Sequence, residues 1–410
     1  MADLIEEVLN TRYGGKPPLD VEGLNIPLQN IVELEKYFDG IAHSVAESLN
    51  INEVSVRFSG STNIGALVHP LDNEKYLIVI PVGIFGRIYA FARKIWSYLD
   101  RKKKGITEKS MLIMGTSPAD DCDEKTYFVP EFIKCIFDEY ERDADFWSDL
   151  TKFDSTNDHD DTTEFNVSII VNQALVVIFA HELAHVTLRH INFIRDVVNG
   201  MDLDDRVRSL LRTGMELEAD FSSGVQLMAV WRMWAGAESH FMDQDRHADF
   251  FRMGFSLYLL LSIFDSKKRS LYAYDQMTYA HPLVRHQAIR TGARHNLTRE
   301  ANSLLPIWTQ GSIAGWFLAE QSVNFFTVLE LMPTISPQPE GAKVTPLIPV
   351  HAMNHAGEIS MGYISDKIRK EQQICEATTS LREKYLRGTL LREDCEQIAA
   401  ITAHSAVSSL

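Results

Sequence analysis

Two histidines and a glutamate are spaced as HExxH in the middle of an apolar segment. His181, Glu182 and His185 occur in the string HELAH and follow the largely apolar residues 169–180. In a helix with 100° per residue, His181 and His185 project about 40° apart and one turn along the axis, so both imidazoles can bind one metal ion. Glu182 projects about 60° from His185 and reaches the same opening without being a ligand. This spacing indicates a zinc site at which Glu182 is the base for a metal-activated water.

The alternative interpretation of this motif is a core helix with two incidentally buried histidines. Burying two imidazoles and a carboxylate among apolar side chains is costly unless another group satisfies them. The apolar residues before His181 therefore favour a metal site over that alternative.

A third zinc ligand is expected from the next helix, in the string ELEAD. Glu216 and Asp220 are four residues apart and share a face, while Glu218 lies about 200° round from Glu216. We expect Glu216 to bind the metal and Asp220 to orient a ligand histidine by accepting its free N–H. Two alternatives stay open: a surface acidic cluster, and Glu218 as the ligand. Apolar neighbours within 215–221 argue against the surface cluster.

Three strings together resemble one family of metallopeptidases. They are HELAHVTLRH at His181–His190, ELEAD at Glu216–Asp220 and YAHPL at Tyr279–Leu283. The chain from about 170 to 290 resembles the gluzincins related to CAAX prenyl proteases, HtpX-like proteases and BepA-like proteases. A weaker likeness, based on size and the HExxH helix, is to the Lit-type phage-exclusion peptidases.

The resemblance implies a zinc endopeptidase with particular residue roles. His181, His185 and Glu216 would be the ligands and Glu182 the general base. His281 would approach the metal, as a resting fourth ligand or as a stabiliser of the oxyanion.

The sequence patterns of the segments around these residues predict an α+β fold that is mostly helical. It would have a zincin-like metalloprotease core and a small β-sheet. The active-site helices are predicted at about 167–191 and 212–235. Short β-rich runs at 54–58, 63–68 and 76–81 predict a small meander, bounded by turn residues. An exposed edge of this sheet would bind an extended peptide by strand addition.

Further segments complete the predicted organisation. A metallopeptidase domain covers 1–332, a Pro-rich linker or loop 333–350, and a helical C-terminal segment 351–410. Helices are also predicted at 31–49, 83–99, 130–150, 363–386 and 393–404, with an acidic loop at 154–164.

Composition and charge restrict the class of function. The 410 residues are 45% hydrophobic and 23% charged, as in ordinary globular proteins, with a formal net charge of −16. The acidic balance argues against nucleic-acid binding, which depends on Lys and Arg. Four cysteines form no CxxC pair, and the N-terminus has no signal-peptide pattern. The most apolar stretch, Phe250–Phe264, is shorter than the ~20 residues of a membrane span. We therefore expect a cytoplasmic protein without such a span.

The expected function is that of a soluble zinc-dependent metalloendopeptidase acting on a protein or peptide substrate. The alternative is a non-catalytic zinc-containing sensor of the same fold, whose C-terminal helices dock a regulatory protein partner. A catalytic zinc keeps one position open, whereas a structural zinc has four protein ligands. Nothing in the sequence predicts the oligomeric state or the substrate.

Overall fold

The computed structural model describes residues 2–13, 15, 28–63, 65–71, 74–103, 161–237, 243–264, 280, 282–331 and 361–403. Within these ranges the fold is α+β and mostly helical with one small sheet, which confirms the predicted class. The strands are β1 Glu53–Ser59, β2 Leu67–Pro70 and β3 Lys75–Pro81. The helices are α1 Ala2–Arg12, α2 Leu28–Ser48, α3 Val82–Lys103, α4 Asp161–Thr187, α5 His190–Phe193, α6 Asp205–Ala237, α7 Asp243–Phe264, α8 Pro282–Glu300, α9 Leu305–Leu331, α10 Met361–Leu386, α11 Arg392–Glu396 and α12 Ile398–Ala403.

The predicted meander is wrong, because the strands are not paired in chain order. Their order is β1-β3-β2, with β1 parallel to β3 and β2 antiparallel to it. Six consecutive residues of β3 are buried, so this strand is covered on both faces and takes the central place. β2 is short and partly exposed, begins at Leu67 rather than at 63, and forms an edge of the sheet.

Helix α4 forms the centre of the core. It contacts α2, α3, α6, α7, β2 and β3, and residues 173–184 are all buried. It begins at Asp161 rather than 167, so 161–164 are helical and not part of the predicted acidic loop. Its segment Glu164–Thr187 is also long and apolar enough to cross a membrane, but 78% of that apolar window is buried inside the protein, as in a core helix.

The predicted helix 167–191 is interrupted directly after the HExxH segment. α4 ends at Thr187, and Arg189 adopts the left-handed conformation with φ 60° and ψ 27°. For a residue other than glycine this conformation costs about 1–2 kcal/mol. In an unbroken helix, His190 would project about 140° away from His185. The break instead turns α5 so that His190 lies beside His185.

Helices α6 and α8 cross at two glycines that face each other's backbone. A Cβ on Gly224 would lie 1.9 Å from the carbonyl oxygen of Ile289, and a Cβ on Gly292 would lie 1.9 Å from that of Phe221. The two backbones therefore touch. This close crossing holds Arg285 of α8 against Asp220 of α6.

We expect Gly292→Ala to destabilise the protein. The added methyl group would meet the backbone of α6, and overpacking of this kind costs about 1–3 kcal/mol of unfolding free energy. Gly40→Ala is the matched control, because nothing lies within 4 Å of its added Cβ in helix α2. That control should be stabilised by about 0.5–1 kcal/mol through helix propensity. Denaturant midpoints measure both changes; equal midpoints for the two variants would contradict the close crossing.

Helix α10 packs against α6 in a second apolar cluster. Met215 and Leu211 of α6 meet Ile374 and Leu381 of α10. A Cβ on Gly214 would lie 2.0 Å from Oγ1 of Thr378, so the two helices approach closely here as well. Helix α10 thereby lies against α6, the helix that carries the ELEAD string.

The other predicted helices agree with the structure where it describes them. The helices at 31–49, 83–99 and 363–386 are α2, α3 and α10, within a few residues. The helix predicted at 212–235 is α6 and begins earlier, at Asp205, while the one at 393–404 is two short helices, α11 and α12. The predicted helix at 130–150, the linker at 333–350 and residues 154–160 of the acidic loop lie outside the described residues.

Candidate metal centre

His181, His185 and Glu216 form one small group, the ligand triangle, in which one ligand atom from each side chain lies within 4.8 Å of the other two. Nε2 of His181 lies 3.1 Å from Nε2 of His185 and 3.3 Å from Oε2 of Glu216. Nε2 of His185 lies 3.6 Å from Oε1 of Glu216. Tetrahedral zinc ligands at bond lengths of about 2.1 Å would be separated by ~3.4 Å. The three predicted ligands therefore fit a zinc-sized ion with little rearrangement.

Among the residues that the structure describes, these three form one group able to hold a metal ion. Two imidazoles with one carboxylate are a usual donor set for catalytic zinc. A tetrahedral ion bound by three side chains keeps a fourth position for water or substrate. His281, which the resemblance places near the metal, lies outside the described residues.

The charge state of the ligands also suits a cation. Burial lowers the pKa of His185 to about 3, so this imidazole is neutral and keeps a lone pair. Burial also opposes ionisation of Glu216, but its hydrogen bond with His181 and the positive charges nearby hold its pKa well below the usual range. Burial alone would lower the pKa of His181, yet Asp220 and Glu216 raise it to about 10. The carboxylates of Asp220 and Glu216 thus favour a proton on His181 in the metal-free protein. A divalent cation can take the place of that proton.

Glu182 lies beside the triangle and is not part of it. Its residue is 9% exposed. Burial raises the pKa of Glu182 to about 7, while His181 lowers it and Glu216 raises it. A carboxyl group with a pKa near neutrality can both take and return a proton, which is what the predicted general base requires.

Asp220 lies where the sequence places it, behind His181. Its Oδ1 is 2.9 Å from Nδ1 of His181, although the N–H does not point straight at that oxygen. Arg285 donates two hydrogen bonds to the same carboxylate, at 2.8 and 2.9 Å. Burial opposes ionisation of Asp220, but Arg285 and His181 hold its pKa below the usual range. His181 is thus supported by a charged pair from α6 and α8.

A second set of contacts lies behind His185, and the sequence analysis missed it. Nδ1 of His190 is 3.0 Å from Nδ1 of His185, and Nε2 of His190 is 3.0 Å from Oε2 of Glu218. Arg382 of α10 donates to both oxygens of Glu218, at 2.5 and 3.2 Å. Glu218 therefore faces away from the ligand triangle, in agreement with its predicted position about 200° round the helix from Glu216. His190 stands in the HELAHVTLRH string, but no motif marks Arg382.

Tyr13 and His69 lie on the sheet side of the centre. The Tyr13 hydroxyl contacts Nε2 of His69, which belongs to the edge strand β2. Burial raises the pKa of Tyr13, Arg12 opposes this shift, and Glu182 adds to it. The phenol is therefore within electrostatic reach of Glu182, and no sequence pattern distinguished it.

Comparison of the chain with models of protein families, with curated proteins and with solved structures finds no match. The functional argument accordingly rests on the geometry and chemistry of the centre itself.

Proposed function

We propose that the protein is a zinc-dependent metalloendopeptidase of the gluzincin type that hydrolyses peptide bonds of a protein substrate. One observation carries the proposal: donor atoms of three side chains, 3.1–3.6 Å apart, lie within electrostatic reach of the buried carboxyl group of a fourth residue, Glu182. His181, His185 and Glu216 would hold the zinc. A site built only for structural zinc has no need of Glu182.

When bound, zinc supplies Lewis-acid chemistry by polarising water and the scissile carbonyl. Glu182 takes the proton of the attacking water and delivers it to the leaving nitrogen. In the metal-free protein burial raises the pKa of Glu182 to about 7, which makes this carboxyl group a better proton acceptor than an exposed glutamate. Asp220 and Arg285 keep the His181 ring in place during this cycle.

The edge strand β2 is the place where the proposal puts an extended substrate. β2 is outermost in the described sheet, contacts α4 and includes the exposed side chain of Leu67. A peptide that pairs with this edge would gain main-chain hydrogen bonds independently of its side chains. Tyr13, which contacts His69 of this strand and lies within electrostatic reach of Glu182, is the donor that the proposal assigns to a developing oxyanion.

Incubation with a peptide library made from a cell proteome tests the proposal. We expect the zinc-loaded protein to generate new peptide N-termini, detected by mass spectrometry. Removal of zinc with a chelator should abolish them, and added zinc should restore them. A protein that holds one zinc per chain and produces no new N-termini would refute the peptidase and support the non-catalytic sensor instead.

A further inference from the structure

Each of the two ligand histidines is backed by a chain of contacts that ends at an arginine. Behind His181 the chain is Asp220 and Arg285, from α6 and α8. Behind His185 the chain is His190, Glu218 and Arg382, from α5, α6 and α10. The second chain reaches a helix that contributes no ligand to the triangle.

Hydrogen-bond donors and acceptors along this second chain of contacts allow one consistent arrangement when His190 is neutral, the form that its complete burial favours. The Glu218 carboxylate receives Arg382 on both oxygens and can only accept, so Nε2 of His190 carries the hydrogen. Neutral His190 then offers a lone pair at Nδ1, and Nδ1 of His185 carries the hydrogen that it accepts. Nε2 of His185 is left with its lone pair, on the side of Glu216 and His181. This chain of contacts thus selects the His185 tautomer with the hydrogen on Nδ1, which leaves Nε2 free to bind a metal.

The surrounding structure is built to keep this chain in place. His190 is fully buried, and it reaches His185 because Arg189 adopts a left-handed conformation. Arg382 is 8% exposed, and α10 approaches α6 across Gly214. Placing a buried histidine, glutamate and arginine in contact costs desolvation that a packed apolar set would avoid, so the arrangement points to a use other than stability.

We propose that Arg382 is a positioning residue for the metal centre, acting through Glu218 and His190 to fix the ring and tautomer of His185. Metal affinity then depends on the docking of α10 against α6. This inference rests on the proposed function only in taking His185 as a metal ligand. It adds that helix α10 sets the metal affinity of the site. Outer contacts of this kind change metal affinity by about 10–100-fold.

Zinc affinity, measured by competition with a chromophoric chelator, tests the proposal in the full chain. We expect Arg382→Ala to weaken zinc binding by about 10–100-fold, and Arg382→Lys to recover part of the loss. Arg387→Ala is the matched control at the end of the same helix, because Arg387 is exposed and its partner among the described residues is the nearby Glu383. Glu218→Gln keeps the shape of its side chain and provides a second variant if Arg382→Ala fails to fold.

The visible spectrum of the cobalt-substituted protein separates positioning from simple destabilisation. Arg382→Ala and Glu218→Gln should shift the ligand-field bands, which a change in folding stability alone would not do. Unchanged zinc affinity and unchanged cobalt bands in both variants, relative to Arg387→Ala, would overturn the inference. Wild-type protein that binds zinc but cleaves nothing would refute the peptidase and leave this inference standing.

Discussion

Glu182→Gln is expected to lower kcat by about 10²–10⁴-fold while one zinc per chain stays bound. The amide has nearly the same size as the carboxyl group but cannot take a proton from water. The three ligand atoms belong to other residues, so the substitution leaves the triangle intact. Zinc content by atomic absorption and turnover of a library-derived peptide measure the two effects.

The control for this variant is Glu376→Gln, which makes the same chemical change on the exposed face of α10. Glu376 is exposed and hydrogen-bonds Gln372 on its own helix, and it is not a member of the ligand group among the described residues. Its kcat should equal that of the wild type. Undiminished cleavage by a zinc-loaded Glu182→Gln protein would show that another group is the base.

His185→Ala is expected to reduce bound zinc from one per chain to a small fraction. The substitution removes one of three donors and also leaves His190 without its partner on that side. Two donors cannot hold zinc as tightly as three, so peptidase activity should disappear with the metal. Equilibrium dialysis against buffered zinc followed by metal analysis gives the stoichiometry.

His43→Ala provides the comparison for that experiment. His43 lies on α2, is exposed and pairs with Glu47 on the same helix. It should keep full zinc content, which excludes a general effect of losing a histidine. Full zinc occupancy in His185→Ala would mean that the ligand set is wrong.

Local spacing made the two halves of the candidate site predictable, because helical geometry places i and i+4 residues on one face. His181 with His185, and Glu216 with Asp220, follow this rule within α4 and α6. The angle between Glu216 and Glu218 likewise predicted that they face different ways. The mostly helical class also followed from hydrophobic periodicity.

Contacts set by tertiary packing were not predictable in the same way. The central position of β3 depends on which faces the helices cover, and chain order gives no information about it. The turn of His190 toward His185 depends on one left-handed residue, Arg189, which no local motif announces. Arg382 reaches Glu218 only because α10 docks on α6, so its role was invisible in the sequence.

The order of these residues along the chain bears on how the centre is completed during synthesis. The three ligands span 181–216, whereas the arginine that supports His185 is made 166 residues after Glu216. At translation rates of 5–20 residues per second, that interval lasts roughly 10–30 s. During it, a nascent chain presents the ligands without their full backing. Nascent chains that do not yet include α10 should therefore exchange metal faster than full-length ones, so completion of the proposed centre is coupled to the synthesis of a helix that contributes no ligand.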